Sequence, residues 1–143
     1  MSERKSKYTT RTYRIEVPLA PVAKGRPRMT RSGHVYTPPK TAQAEKDVAR
    51  MARASIGGDG LLEGPLEVKI RFHMPMPQSW SKRKRDTMDL KAHCSKPDLD
   101  NLVKLVKDAL NGIVWVDDSQ VYRLESSKLY MREPMTVIEV RET

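Results

Sequence analysis

Hydrophobic and polar positions alternate in two stretches of the chain and recur at three- and four-residue spacing in two others. Over residues 12–19, Tyr13, Ile15, Val17 and Leu19 alternate with Thr12, Arg14 and Glu16, which predicts a half-buried strand closing at Pro18. The cleanest alternation is Leu66, Val68, Ile70, Phe72 and Met74 against Glu67, Lys69, Arg71 and His73, a strand over 66–74 whose polar face meets solvent by default or else a partner's surface. Ala44, Val48, Met51, Ala52 and Ile56 share one face of a helix over 41–56. Thr37 or Thr41 can cap it, Pro38 suits its first turn, and Gly57-Gly58-Asp59-Gly60 ends it. Leu99, Leu102, Val103, Val106, Ala109 and Leu110 mark a second helix, stopped by Asn111-Gly112.

The remaining segments carry weaker patterns. Residues 20–39 hold four prolines and two glycines and predict a loop. Ser79 or Ser81 can cap a helix running to Leu90. Ile113–Val116 predicts a short buried strand. Residues 121–131 and 135–142 predict two more, marked by Tyr122, Leu124 and Tyr130, then by Thr136, Ile138 and Val140. The fold class expected is α+β, with one mixed sheet flanked by helices. Residues 1–143 are expected to form one domain, with 1–10 mobile.

The candidate chemistry lies between residues 96 and 120. Asp98 and Asp100 open the second helix, where the positive end of the helix dipole favours negative charge. Lys104, four residues after Asp100, shares its face. Asp117 and Asp118 follow the helix and the short apolar segment. If that segment runs back antiparallel, the two acidic pairs converge. Three or four carboxylates at one place suit Mg²⁺ or Mn²⁺. Taken singly, each half of the pattern more often caps a helix or makes a turn. Both halves together, with a lysine on the same face, favour a site.

Lys96-Pro97-Asp98-Leu99-Asp100-Asn101-Leu102, Lys104, Asp108-Ala109-Leu110-Asn111 and Asp117-Asp118-Ser119-Gln120-Val121 resemble the signature of RusA-type Holliday junction resolvases. Lys24-Gly25-Arg26-Pro27-Arg28 is similar to the phage-type members, and element order agrees along most of the chain. The resemblance implies a small homodimeric, Mg²⁺-dependent endodeoxyribonuclease of the kind often carried by phages and prophages. It implies that Asp98, Asp100 and Asp118 are the essential metal-binding carboxylates, with Asp117 a further candidate, and that Lys104 is the essential cation. It also implies a RusA-like fold and a two-fold dimer cutting four-way junctions by paired nicks in DNA recombination and repair.

Charge changes the picture by its distribution. The chain has 27 Lys and Arg against 18 Asp and Glu, a formal charge of +9. Residues 1–53 carry the whole surplus, and the remainder is balanced. A basic third beside an acidic site is the expected footprint of a phosphate-binding enzyme. Lys24, Arg26, Arg28 and Arg31 are the candidate phosphate contacts. Lys82, Arg83, Lys84 and Arg85 are a solvated face or a second DNA contact. Tyr36 can stack on an unpaired base, though packing is commoner. Trp80 reads as packing or a subunit contact, and His93 as a polar loop residue or a ligand.

Cys94 is the sole cysteine, so an internal disulfide is excluded, and zinc is disfavoured with only His93 beside it. No apolar run reaches the ~18 residues a membrane span needs. A cytoplasmic protein that uses no small organic cofactor is expected. Three functions fit the residues: a junction-resolving nuclease, a nuclease of broader taste for flaps and branches, and a DNA-binding module whose aspartates only cap and turn. The aspartates favour a nuclease, because a pure binder gains nothing from acidic side chains facing phosphate.

Overall fold

The computed structural model describes residues 10–143; nearly all of the segment expected to be mobile, 1–10, lies outside them. Strand β1 (Thr12–Val17) leads into a small ribbon of β2 (Arg28–Met29) and β3 (Val35–Tyr36), then helix α1 (Pro39–Ile56). Strand β4 (Leu66–Met74), helix α2 (Lys82–Met88) and helix α3 (Leu99–Leu110) follow. A 3-10 turn (Asp118–Gln120) then starts strand β5 (Val121–Tyr130), and β6 (Met135–Glu142) ends the chain.

The four long strands form one sheet in the order β1-β6-β4-β5. β6 lies antiparallel to β1 and β4, whereas β5 lies parallel to β4. The mixed character follows from the connections. A turn joins β5 to β6, but β4 reaches β5 through α2 and α3, and such a crossover returns the chain in the same direction. The α+β expectation therefore stands.

Alternation decides the two faces of the sheet. Ile15, Val17, Leu66, Val68, Ile70, Phe72, Ile138 and Val140 point inward and join Val48, Ala52, Leu102, Leu105 and Val106 of α1 and α3 in one core. The opposite face is a charge mosaic. Arg14 pairs with Glu139 at 3.0 Å and Lys69 with Glu125 at 3.7 Å. Those charges largely satisfy one another across neighbouring strands, as a solvated face does.

Five local expectations change. Leu19 lies beyond β1 and is exposed, because Pro18 ends the pairing. Residues 20–39 contain the ribbon, which their loop-like composition concealed. No threonine caps α1; Pro38 holds the cap position, Pro39 starts the helix, and the Thr41 hydroxyl instead accepts from the Gly25 N–H at 3.0 Å. Ile113–Val116 is a turn rather than a strand. Gly112 adopts φ +75° and its N–H donates to the Trp115 carbonyl at 2.8 Å. Trp115 is fully buried, and its indole N–H donates to Asn111 Oδ1 at 2.7 Å. Folding back buries Val114 and Trp115 in the core, while Val116 is left exposed. The helix expected to reach Leu90 stops at Met88, with Ser81 as its cap: the Ser81 hydroxyl accepts from the Lys84 N–H at 3.2 Å.

Candidate active site

Helix α3 is the platform. Leu102, Val103, Leu105, Val106, Ala109 and Leu110 bury one side of it against the core. Asp100, Lys104, Lys107 and Asp108 are left along the flank that faces β5. Asp98 holds the cap position, yet its carboxylate makes no capping hydrogen bond. The helix therefore does not consume the Asp98 side chain. Asp100 Oδ1 accepts from the Asn101 N–H at 3.0 Å, which orients that carboxylate at the first turn.

An open depression of about 750 Å³ runs between α3 and β5. Asp100, Lys104, Lys107, Asp108 and Asp118 line it, with Leu124 and Ser126 forming the β5 wall. Asp118 Oδ2 lies 3.9 Å from Lys107 Nζ. The turn at 111–116 thus delivers Asp118 beside Lys107, in the last turn of α3. Asp100 and Lys107 are seven residues apart, about 10 Å along the axis at ~1.5 Å per residue. Asp98 is not among the lining residues. Among the described residues no three His, Cys, Asp or Glu side chains gather as metal ligands.

Asp117 takes a different task. Its Oδ2 accepts from the Ser119 N–H at 3.0 Å while its own N–H donates to Gln120 Oε1 at 2.8 Å, a reciprocal cap on the 3-10 turn. The hydrogen bond from Ser119 holds its carboxyl below the usual aspartate range. Gln120 Nε2 then donates to the carbonyls of Leu62 and Gly64, both at 3.0 Å, and pins the turn to the chain ahead of β4.

The bases divide by task as well. Lys24 ion-pairs with Glu45 of α1 and lies 3.3 Å from Asp108 of α3, with its side chain only 19% exposed. Its charge is spent inside the molecule. Burial pulls the Lys24 ammonium down, but Glu45 and Asp108 together outweigh that and raise it. Arg26 and Arg28 line a groove of about 510 Å³ with Lys40 and Pro97, the residue before Asp98. Arg31 is exposed in the turn of the β2–β3 ribbon. On α2, Lys82 and Arg83 are exposed, Lys84 sits 4.6 Å above the Trp80 ring, and Arg85 donates to the carbonyls of Trp80 and Pro77. Trp80 is a packing residue, with its ring 5.0 Å from that of Tyr130.

Several participants escape the sequence reading. Lys107, one turn after Lys104 on the same face, was legible from spacing. Leu124 and Ser126 were not, because strand alternation does not say which element faces them. Lys128 is the least legible. From β5 its ammonium donates to the carbonyls of Ser95 at 2.5 Å and Pro97 at 2.7 Å, fastening the loop that presents Asp98. His93 stands apart from the carboxylates, its ring tilted against that of Tyr130 with centroids 4.7 Å apart and Nδ1 unpartnered. Burial first, then the charge of Lys128, pushes the His93 ring below its ordinary value.

Among the described residues no helix is long and apolar enough to cross a membrane. The Uncharacterized protein YqaN of Bacillus subtilis (strain 168) is 40% identical over 129 residues, covering 85% of this chain and 90% of its own. The family model described as Endodeoxyribonuclease RusA matches residues 18–141, nearly the whole chain. A helix opened by Asp98 and Asp100, flanked by Lys104 and faced by Asp118, thus sits within that match, and the chain belongs to the RusA endodeoxyribonuclease family.

Proposed function

We propose that this chain is a metal-dependent endodeoxyribonuclease that resolves four-way DNA junctions as a two-fold homodimer. One observation carries the reading: Asp100, Asp118, Lys104 and Lys107 share one open depression, and the basic groove of Arg26, Arg28 and Lys40 ends at Pro97, beside Asp98. Acidic and basic side chains lining one open surface suit hydrolysis better than binding alone.

The residues fit one kind of metal site and not another. A cage of three carboxylates does not exist among the described residues. A hydrated Mg²⁺ needs only one or two carboxylates and keeps its remaining waters. Asp100 or Asp118, each open to the depression, meets the one-carboxylate form of that requirement, with Asp98 one residue outside it. A cation bound there supplies charge neutralisation at the scissile phosphate and a more acidic water.

The chain's own groups supply the rest. Lys104 and Lys107 attract and orient the non-bridging phosphate oxygens. Asp98, free of any capping bond, can accept a proton from a water at the helix start. Arg26, Arg28 and Lys40 hold the strand running into the site. A two-fold dimer sets two equivalent sites against two equivalent strands of a junction.

The test is cleavage of synthetic four-way, three-way, flap and linear DNA with and without Mg²⁺ or Mn²⁺. We expect paired nicks in the four-way junction only with metal. Asp98→Asn, Asp100→Asn and Asp118→Asn should each lower cleavage by at least ~10²-fold while binding persists or tightens, the scale of losing a group that acts on the reaction itself. Wild-type cleavage by any one of these variants removes that residue from the site. The pairing of Asp118 with Lys107 favours a second reading, a binding module in which the aspartates are structural. Binding without cleavage in any metal would select it.

A further inference from the structure

The β2–β3 ribbon does something the sheet and helices do not explain. It is built by its own turn rather than by packing. The Thr30 N–H donates to the His34 carbonyl at 2.8 Å, the Gly33 N–H to the Thr30 carbonyl at 3.0 Å, and the His34 N–H to Thr30 Oγ1 at 3.1 Å. Gly33 sits at φ +85°, where a side chain is strained. A ribbon with strands of two residues is marginal in water without such a lock.

The lock holds an apolar pair outward. Met29 and Val35 are direct cross-strand partners, so they lie side by side on one face of the ribbon. They are 67% and 57% exposed, and neither belongs to the core. A single exposed apolar residue needs no explanation, but a preorganised adjacent pair on a projecting ribbon calls for an occupant.

Charge identifies the occupant. No Asp or Glu occurs between Glu16 and Glu45, whereas Arg26, Arg28, Arg31 and Lys40 do, besides Lys24, whose charge Glu45 and Asp108 already take up. Arg26, Arg28 and Lys40 continue the surface from the ribbon to Pro97. The partner is therefore a polyanion that also offers apolar area. Intact duplex DNA offers phosphate and groove edges, with its base faces covered by stacking. A branch point uncovers base faces, and apolar side chains such as Met seat against unstacked steps.

We propose that the β2–β3 ribbon is a branch-point wedge. Met29 and Val35 seat against exposed base faces at a DNA discontinuity, and Arg26, Arg28 and Arg31 grip the flanking phosphates. The inference rests on the DNA-binding half of the function proposed above and names what lets the site distinguish branched from linear DNA.

The test uses the full chain in EDTA, where binding is read without cleavage. A four-way junction carries 2-aminopurine at the branch, and a linear duplex carries it in the same sequence. Binding should raise fluorescence severalfold in the junction and leave the duplex unchanged. The double variant Met29→Ser/Val35→Ser should lose that rise and about tenfold in junction affinity, roughly the 1.4 kcal/mol of one such step. Duplex affinity, the salt slope and the melting temperature should not move, because both side chains are solvent-exposed. Met29→Leu/Val35→Ile should behave as wild type.

A junction-to-duplex affinity ratio unchanged in the serine variant overturns the wedge. So does a shift in its sedimentation, which would show that a second copy of the chain covers the pair. Sequence preference without a fluorescence change would make the ribbon a groove reader and overturn it too. Cleavage is scored separately with metal. Failure to cut any substrate would sink the nuclease reading while leaving the wedge to stand or fall on binding.

Discussion

Lys128→Met is the sharpest perturbation of the candidate site, because it touches no carboxylate and no phosphate contact. The wild-type ammonium makes two charge-assisted hydrogen bonds, to the carbonyls of Ser95 at 2.5 Å and Pro97 at 2.7 Å. Bonds of that kind are worth about 1.5–3 kcal/mol each when no water replaces them. Ser95 is exposed, so water refills part of the loss, and we take about 2 kcal/mol for the pair. That shifts the balance between the fastened and loosened loop by roughly thirtyfold. The loop leads straight into Asp98, which the proposed function makes a reacting group, and a displacement of ~1 Å at such a group costs on the order of 10²-fold in rate.

The expected outcome is a ten- to hundredfold lower kcat for junction cleavage, consistent with that scale, and a Kd within about twofold of wild type. Lys128→Arg should restore much of the rate, since a guanidinium can reach both carbonyls. His93 reports on the Lys128 charge, and Lys128→Arg should return its titration towards wild type. Removing the Lys128 charge should raise the His93 pKa in an NMR titration, though burial still holds it below the ordinary value. Single-turnover cleavage at the wild-type rate in Lys128→Met would refute the reasoning. An equal fall in binding and rate would assign Lys128 to DNA contact instead.

Three further predictions follow from the same geometry. Lys24→Met leaves Glu45 and Asp108 facing each other without their shared cation, and should cost roughly 1–3 kcal/mol in denaturant unfolding, with a lower cost than ~1 kcal/mol arguing that α1 and α3 do not need the clamp. Because the folded Lys24 pKa is raised from 10.5, its contribution is fully present below that pH and is lost as pH rises through the folded value, so wild type and variant should converge in strong alkali. Glu142 shows the opposite sign: burial raises its carboxyl, but the N–H groups of Gly64 and Glu63 and the Arg11 guanidinium outweigh that and lower it from 4.5. Its stabilisation is present above pH 4.5 and is lost as pH falls through the folded value, so acid melts of Glu142→Gln should be flatter there than those of wild type. Arg26→Gln and Arg28→Gln should each reduce the slope of log affinity against log salt by about 0.9, and an unchanged slope would remove that residue from the DNA path.

What the sequence determined by itself is what local periodicity and local stereochemistry control. The β4 alternation, the two long helices and the acidic opening of α3 are written at two- and three-to-four-residue spacing, and burial of one face forces each element into that form. The Asn111-Gly112 stop was legible for the same reason. The family-like signature named Asp98, Asp100, Lys104 and Asp118 as candidates, and of these the depression gathers Asp100, Lys104 and Asp118 but not Asp98.

Tertiary structure alone decided how those residues meet. Ile113–Val116 is apolar enough for a strand, yet the core had room for Trp115 beneath α3, so the chain turned and carried Asp118 to Lys107 rather than to Asp98. Asp117 and Asp118 are neighbours of identical chemistry; one caps a turn and the other lines the depression. Lys24 and Arg26 looked like one basic cluster, and packing of α1 against α3 turned the first into an internal clamp. Lys128 gave no signal, because its partners lie some thirty positions away and are backbone carbonyls that any residue carries. Charge and periodicity are properties of short stretches, whereas which charge meets which is set by the packing of distant elements.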